Sequence, residues 1–445
     1  MLSSAVARLD EWAPPGDLRR LVAVRGLRSL VQGYVMVVFT IYLSQIGFAA
    51  WLIGLTLTIV GIASSLLTLV IGVSSDRLGR RPFLLIYSFL LFASGIIFSL
   101  TTIPWILIAI SALGGMGRGG GGGGQAGAFA PAEQALISEK AAGDTRRRVF
   151  AANSVVGTSM AAVGALLAGI PEWLRASAHL SMLASYRPLF LGVALAGFLS
   201  MVVLWPITDV NRPKEPRRQN AAARAQRKQT RQRIGQISLA GAINGFGLGF
   251  MAGLIPYWMH IRYGVSPGAI GPVISISSAL TALAALWAVR LASRVGDVLV
   301  ITGSRLAGVV LTLALPFSPV YLLAAVLYGA RMISSQMAMP VRQSYTMGII
   351  EPGARGSAAG ISGVSRRLPA SASPTISGYL FNAGELELPF VAAAACLLIN
   401  AGLYYWWFRD IAPDADLVAE RRQTAHAATP AIPAAAAQPE FPPDD

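Results

Sequence analysis

The feature that most constrains this chain is a series of long apolar runs separated by short polar turns. An α-helix rises 1.5 Å per residue, so about 20 apolar residues are needed to cross a hydrocarbon core about 30 Å thick. Runs of that length predict an all-α membrane protein with twelve transmembrane helices. Their approximate limits are 27–48, 51–74, 83–101, 104–131, 148–170, 188–207, 236–260, 268–290, 298–316, 319–346, 357–382 and 388–408.

The composition agrees with this prediction. Of the 445 residues, 54% are hydrophobic and only 13% are charged, whereas a soluble domain has about 25% charged residues. In a soluble protein the net charge of +15 would suggest a nucleic-acid partner. Here the basic residues lie in alternate loops, as membrane insertion requires. The sequence therefore predicts a lipid bilayer and no nucleic acid as partner.

The basic residues also predict the orientation of the chain, because Lys and Arg gather in cytoplasmic loops. The opposite loops are short and nearly free of basic residues, with Arg175, Arg187 and Arg262 as exceptions. We expect both termini to be cytoplasmic, in a prokaryotic cytoplasmic membrane. The basic residues that precede span one or follow spans two and four are Arg19, Arg20, Arg25, Arg77, Arg80, Arg81, Lys140, Arg146, Arg147 and Arg148.

A basic linker predicts the domain organisation. Residues 208–235 are polar, basic and long beside the tight turns elsewhere, which is typical of a tether between two bundles. We expect a cytoplasmic segment over 1–26, six-helix bundles over 27–207 and 236–409, and a disordered Ala/Pro-rich cytoplasmic tail over 410–445.

An internal repeat supports two related halves. The sequence Pro-Ala-Glu-Gln at 131–134 recurs as Pro-Val-Arg-Gln at 340–343, and a similar displacement relates Arg118 to Arg331. Such halves are typical of transporters whose site lies at the interface near the midplane.

Several chemistries lack the residues they need. Cys396 is the single cysteine, so neither an intrachain disulfide nor a cysteine-based metal site is expected. The histidines, His179, His260 and His426, are scattered, and paired intramembrane aspartates are missing, so we do not expect an enzyme. The glycine run at 119–124 lacks the Lys-Ser/Thr ending of a phosphate-binding loop, and no cofactor is predicted.

A dense charged motif lies between spans two and three. Residues 72–82 read Gly-Val-Ser-Ser-Asp-Arg-Leu-Gly-Arg-Arg-Pro, and so many charges must lie at a membrane surface. The motif resembles the loop between the second and third helices of the major facilitator superfamily, in which it acts as a conformational switch. The positions that carry the pattern are Gly72, Asp76, Arg77, Gly79, Arg80 and Arg81.

The resemblance covers roughly residues 27–409 and implies a secondary transporter in which two pseudo-symmetric bundles rock about a central site. It also implies that Asp76 and Arg80 lock the cytoplasmic side against the start of span eleven, near 355–360, in the outward-facing state. We expect a small-molecule substrate, with protons as a candidate second partner, and transport driven by an ion or substrate gradient rather than by ATP. We expect a monomer.

Arginines predicted near the bilayer centre indicate the substrate. Arg118, Arg331 and Arg366 lie deep in spans four, ten and eleven. Each costs about 2.5–3.5 kcal/mol there unless it faces a polar cavity or a partner. Arg366 shares a stripe with serines, whereas Arg367 points about 100° away, so Arg366 is preferred. Because no Asp or Glu lies in the middle of a span, an organic anion or phosphate ester is favoured.

Polar residues on the same or neighbouring helices complete the predicted substrate site. Gln125 shares a face with Arg118, while Gln32 and Asn244 lie on helices one and seven, which line the cavity in the family. For each of these, a helix-packing hydrogen bond is an equally good interpretation.

A structural role for the arginines and a different transport function both stay open. Arg118 resembles the span-four arginine of proton-coupled exporters, and Arg118 and Arg331 would then bond backbone carbonyls rather than substrate. The alternative function is a proton-driven multidrug or metabolite efflux antiporter. Its one candidate coupling carboxylate is Glu133, which is predicted near the inner surface.

Overall fold

The computed structural model describes residues 16–114, 116, 129–141, 143–208, 223–350, 355–409 and 411. These residues confirm the all-α prediction. Short 3-10 helices at Leu167–Gly169 and Leu315–Phe317 extend two of the α-helices. The α-helices of the described residues are α1 (Gly16–Gln45), α2 (Ala50–Leu78), α3 (Arg81–Leu100), α4 (Pro104–Gly114), α5 (Phe129–Lys140), α6 (Gly143–Leu166), α7 (Ile170–Ala178), α8 (Met182–Leu204), α9 (Ala223–Gly249), α10 (Ile255–Tyr263), α11 (Pro267–Val295), α12 (Asp297–Ala314), α13 (Tyr321–Met337), α14 (Met339–Gly348), α15 (Arg355–Asn382) and α16 (Leu388–Phe408).

Many of these helices are long and apolar enough to cross a bilayer. Such stretches within the described residues are Gly16–Gln45, Ala50–Ile71, Arg81–Leu100, Arg148–Ala178, Met182–Leu204, Asp297–Phe317, Tyr321–Gln343 and Leu388–Phe408. Predicted span eleven is the single helix α15, which is less apolar because it carries Arg366, Arg367 and several serines. The middle of predicted span four, including Arg118, Gln125 and the glycine run, lies outside the described residues.

Several helices start or stop away from the predicted limits. Helix α1 begins at Gly16 rather than near residue 27, and α9 begins at Ala223 rather than near 236. The early start of α1 has a polar cause, since Asp17 accepts a bond of 2.7 Å from Lys140 of α5. The short helix α7 was not predicted. Polar ends of this kind extend a helix beyond the apolar run from which its limits were predicted.

Predicted span seven is not one helix. It consists of α9 and α10, separated by a turn at 250–254. Gly253 in that turn has φ of +78°, a left-handed conformation that glycine adopts without steric cost, and Pro256 follows in the first turn of α10. An unwound segment at membrane depth is tolerated only where protein or an aqueous cavity surrounds it.

Glycines bring the helices of each half into close contact. In the first half, a Cβ at Gly33 of α1 would collide with the carbonyl of Ala161 on α6. In the second half, a Cβ at Gly245 of α9 would collide with the carbonyl of Arg366 on α15. Small residues allow such backbone approach, on which helix association in membranes largely depends.

The closest approaches between the halves lie on one side of the bundle, which we call the far side. It is the side where α1 ends and α2 begins, opposite the terminal side, which holds Gly16 and Phe408. Helix α2 packs there on α15, with Thr58 and Thr375 joined by an Oγ1–Oγ1 hydrogen bond of 2.7 Å. Gly169 likewise approaches Gly268 of α11. The halves therefore contact each other tightly at the far side.

Candidate functional site

A cavity of about 340 Å³ lies between the two halves. The first half contributes α1, α2 and α6, and the second half contributes helices from α9 to α16. The unwound turn of predicted span seven forms part of the wall, through Met251, Ala252 and Gly253. This size is within the range of sites for small organic molecules.

All four of the predicted binding residues that the structure describes come together at this cavity. Gln32 on α1, Asn244 on α9, Arg331 on α13 and Arg366 on α15 all line it. They belong to four helices, far apart in sequence, from both halves of the bundle. Their role in binding stays a prediction, as does that of the undescribed Arg118 and Gln125.

Arg331 has a structural contact in addition to its place at the wall. It is 6% exposed, and its Nε donates a hydrogen bond of 3.1 Å to Oγ1 of Thr312 on α12. Its own carbonyl accepts a bond of 2.8 Å from Ser335, one turn later. One nitrogen of the guanidinium thus fixes the side chain between α12 and α13.

Both arginines of span eleven line the cavity. The helical phase predicted that Arg366 faces the cavity and that Arg367 points about 100° away from it. In the structure, both arginines line the wall. The reason is the position of α15, which packs on α9 through Gly245 and on α2 through Thr375. Because α15 lies between the halves, the cavity faces a wider arc of this helix than one stripe of residues.

Two further arginines of the wall were not predicted as binding residues. Arg305 on α12 was not singled out, although an arginine inside the apolar run 298–316 meets the criterion that selected Arg331. Arg342 on α14, the arginine of the repeated Pro-Val-Arg-Gln, also lines the cavity. The guanidinium carbon of Arg305 lies 4.4 Å from the ring centroid of Tyr404, in cation–π contact.

The charge on the described part of the cavity wall is positive. Arg305, Arg331, Arg342, Arg366 and Arg367 all belong to the second half, and no Asp or Glu is among the described residues that line the wall. The described wall residues of the first half are uncharged and are Gln32, Gly33, Met36, Leu57, Val60, Gly61, Thr158 and Ala161.

The candidate coupling carboxylate lies elsewhere, inside the first half. Glu133 on α5 is 1% exposed, and its Oε2 is 3.7 Å from Nη1 of Arg25 on α1. The neighbouring Arg28 is held over the rings of Phe129 and Tyr87, at 4.1 and 5.2 Å. Glu133 is buried in a cluster of α1 and α5 and is not at the cavity wall.

The switch motif is described only in part. Gly79 caps the C-terminus of α2 with φ of +84°, and the side chains of Asp76 and Arg77 are outside the part of the chain that the structure describes. Arg80 pairs with Glu139 of its own half at 2.5 Å, and Arg81 donates a hydrogen bond to the carbonyl of Trp205. The predicted lock on the start of span eleven stays a prediction, because the side chains there are also undescribed.

Comparison with known proteins decides the family. A sequence profile described as Major Facilitator Superfamily matches residues 21–235 and again residues 237–441. The chain belongs to the major facilitator superfamily. It is a multi-pass integral membrane protein with the fold of this transporter family, and the profile matches each half in turn.

Solved structures with this major facilitator fold are similar over most of the chain. The nucleoside transporter NupG has a TM-score of 0.65 at 16% identity, covering 89% of this chain and 100% of NupG. A bacterial homologue of the lysosomal transporter Spinster, inward-facing and occupied, has a TM-score of 0.68 at 15% identity, covering 88% and 96%. The xylose transporter XylE from E. coli, inward open, has a TM-score of 0.63 at 14% identity, covering 92% and 99%.

One curated relative also matches by sequence. The uncharacterized membrane protein YJR124C of Saccharomyces cerevisiae (strain ATCC 204508 / S288c) is 22% identical over 418 residues. The match covers 87% of this chain and 92% of that protein. Similarity at these levels establishes the fold of this major facilitator but carries no substrate from one protein to another.

Proposed function

We propose that this major facilitator is a secondary active transporter of an organic anion or a phosphate ester. The observation that carries the proposal is the arginine-lined cavity. Five buried or half-buried guanidinium groups share a wall at which the described residues include no carboxylate. Guanidinium groups bind carboxylate and phosphate through paired, charge-assisted hydrogen bonds. An anionic substrate would bring negative charge to a wall whose described residues carry five guanidinium groups.

Transport by alternating access fits the way in which the halves meet. Thr58, Thr375 and the glycines beside them hold α2 and α15 together at the far side. On α15, Gly360 and Gly363 lie toward the terminal side, and a Cβ added at either would meet no atom of the described residues within 4 Å. With the termini in the cytoplasm, as the loop charges favour, this conformation is closed outside and faces inward.

The domain organisation follows from the same proposal. Two bundles, over 27–207 and 236–409, would rock as units while 208–235 tethers them and the segments 1–26 and 410–445 stay in the cytoplasm. The double match of the family profile supports this division into halves.

The position of Glu133 weighs against the efflux antiporter. Coupling to protons within a binding cavity needs a titratable group that the substrate site and solvent can both reach, and the carboxylate of Glu133 was the candidate from the sequence. Glu133 is buried against Arg25 inside the first half and does not line the cavity. Among the described residues of the wall, no other carboxylate could take this role.

Thermal unfolding of the detergent-purified protein tests the anion proposal. A ligand present at about 100 times its Kd adds about 2.7 kcal/mol of stability. We expect benzoate, citrate or a sugar phosphate to raise the Tm, and neutral glucose and the lipophilic cation tetraphenylphosphonium to leave it unchanged. Arg366→Gln should weaken binding of the stabilising anion at least about tenfold, or about 1.4 kcal/mol.

Arg290→Gln is the matched control for Arg366→Gln. Arg290 lies on α11, is exposed, and does not line the cavity, so its loss should leave anion binding unchanged. A general effect of protein charge would weaken binding equally in both variants and would count against a specific site. Stabilisation by tetraphenylphosphonium alone would replace the anion transporter with the exporter.

A further inference from the structure

Within the cavity wall, Arg305 and Arg342 form a distinct pair. They lie on α12 and α14, close enough for their charges to repel each other. Nη1 of Arg305 is buried and has no hydrogen-bond partner among the described residues. The ring of Tyr404 beneath Arg305 holds the guanidinium in place but does not neutralise it.

The repeat shows what this pair lacks. Arg342 of the second half occupies the repeat position of Glu133 in the first half, since Pro-Val-Arg-Gln at 340–343 matches Pro-Ala-Glu-Gln at 131–134. In the first half the acid is present, and Arg25 and Arg28 surround it. In the second half a cation takes the place of the acid, beside another cation.

Asp297, a described acid in the same region, does not lie between the two arginines and the cavity. Asp297 lies in the first turn of α12 and is within electrostatic range of Tyr345 and Tyr404. It does not line the cavity, and it is more than two helical turns before Arg305 in the same helix. An anion that enters the cavity would therefore supply the negative charge that faces Arg305 and Arg342.

We infer that Arg305 and Arg342 bind the dianionic head of a phosphate monoester whose neutral organic part rests against the first half. Two guanidinium groups on one wall, both within electrostatic range of Tyr404, match a phosphate, which carries a charge of about −1.5 to −2 at pH 7. The residues that the structure describes on the first-half wall are uncharged, and they include the apolar Met36, Leu57 and Val60. The inference rests on the proposed function and specifies the substrate class and its orientation.

Binding of three probes to the full-length protein in detergent tests this inference. Phenyl phosphate has the dianionic head and an apolar body, benzoate has a single charge on a similar body, and inorganic phosphate has the head alone. We expect phenyl phosphate to bind at least about tenfold more tightly than either of the others. Equal affinity for benzoate would overturn the dianionic head, and equal affinity for inorganic phosphate would overturn the apolar contact.

Substitutions of Arg305 and Arg342 test whether the phosphate head group binds at these two residues. Arg305→Gln and Arg342→Gln should each weaken phenyl phosphate at least about tenfold and reduce its preference over benzoate, while Arg290→Gln changes neither. The two variants are independent, so one that fails to fold leaves the other as a test. Arg305→Lys, a point charge without the planar fork, should restore part of the affinity.

The outcomes separate this inference from the proposed function. If anions bind and Arg366→Gln weakens them while Arg305→Gln and Arg342→Gln do not, the anion transporter stands and the head-group subsite is overturned. If none of the anions binds, both the proposed function and the subsite fail.

Discussion

Replacing Glu133 with Gln should lower the free energy of unfolding by about 3–5 kcal/mol. The carboxylate is 1% exposed, and its partner Arg25 is 6% exposed at the side chain. Gln keeps the size of the side chain and can still bond Asn153, which contacts Glu133. What it removes is the negative charge that balances Arg25 and the fully buried Arg28. Denaturant unfolding in detergent micelles would measure the loss.

The same helix supplies a matched control. Glu139 of α5 also pairs with an arginine, Arg80, but its side chain is 23% exposed. Ion pairs that reach solvent contribute only about 0–1 kcal/mol, so Glu139→Gln should cost little. The double variant Arg25→Gln/Glu133→Gln should recover part of the stability, because no unpaired cation then remains at Arg25. Equal losses for Glu133→Gln and Glu139→Gln would contradict the buried-charge argument.

The sequence predicted the fold because the bilayer imposes a simple rule. Helix α16 matches its predicted limits of 388–408, and α11 begins one residue from its predicted start. A length of apolar chain is sufficient to identify such spans. The length of the apolar run did not predict the structure of span seven. The break there, around Gly253, depends on the protein and the cavity that surround the segment. The glycines before it and Pro256 were a signal for that break.

The site was predicted less completely for a different reason. Buried charge is visible in sequence, and it led to Arg331 and Arg366, both at the cavity wall. The face of a helix that lines the cavity depends on the helices packed against it, and the sequence does not identify those helices. Arg367 was set aside for this reason, since the packing of α15 between α2 and α9 was unknown. Arg305 could have been found, because it satisfies the buried-charge criterion.

Replacing Gly378 with Ala should shift the protein away from the present conformation by about 1–3 kcal/mol, the usual cost of overpacking. A Cβ at Gly378 of α15 would lie 2.5 Å from the carbonyl oxygen of Ala50 and 3.0 Å from the Cα of Gly54, both in α2. Neither backbone can yield without moving a helix of the opposite half. A shift of this size changes the ratio of two conformations by about 5- to 150-fold.

Spin labels at the far side would measure this shift. Thr102 of the first half and Glu385 of the second are exposed loop residues there, and cysteines at both positions in a Cys396→Ser background give one interhalf distance. We expect Gly378→Ala to increase the population with the longer distance. Gly363→Ala on the same helix is the matched control, because a Cβ at Gly363 meets no atom of the described residues within 4 Å.

The comparison of Gly378→Ala with Gly363→Ala distinguishes rocking halves from a fixed bundle. Both variants gain up to about 1 kcal/mol of helix propensity, so that contribution cancels. If the halves rock, the clash at Gly378 is relieved by opening the far side, and the distance distribution changes while the stability of the fold is largely kept. If the halves are fixed, they cannot move apart to relieve the clash at Gly378. The distances then stay the same, the free energy of unfolding falls, and alternating access about the α2–α15 contact is ruled out.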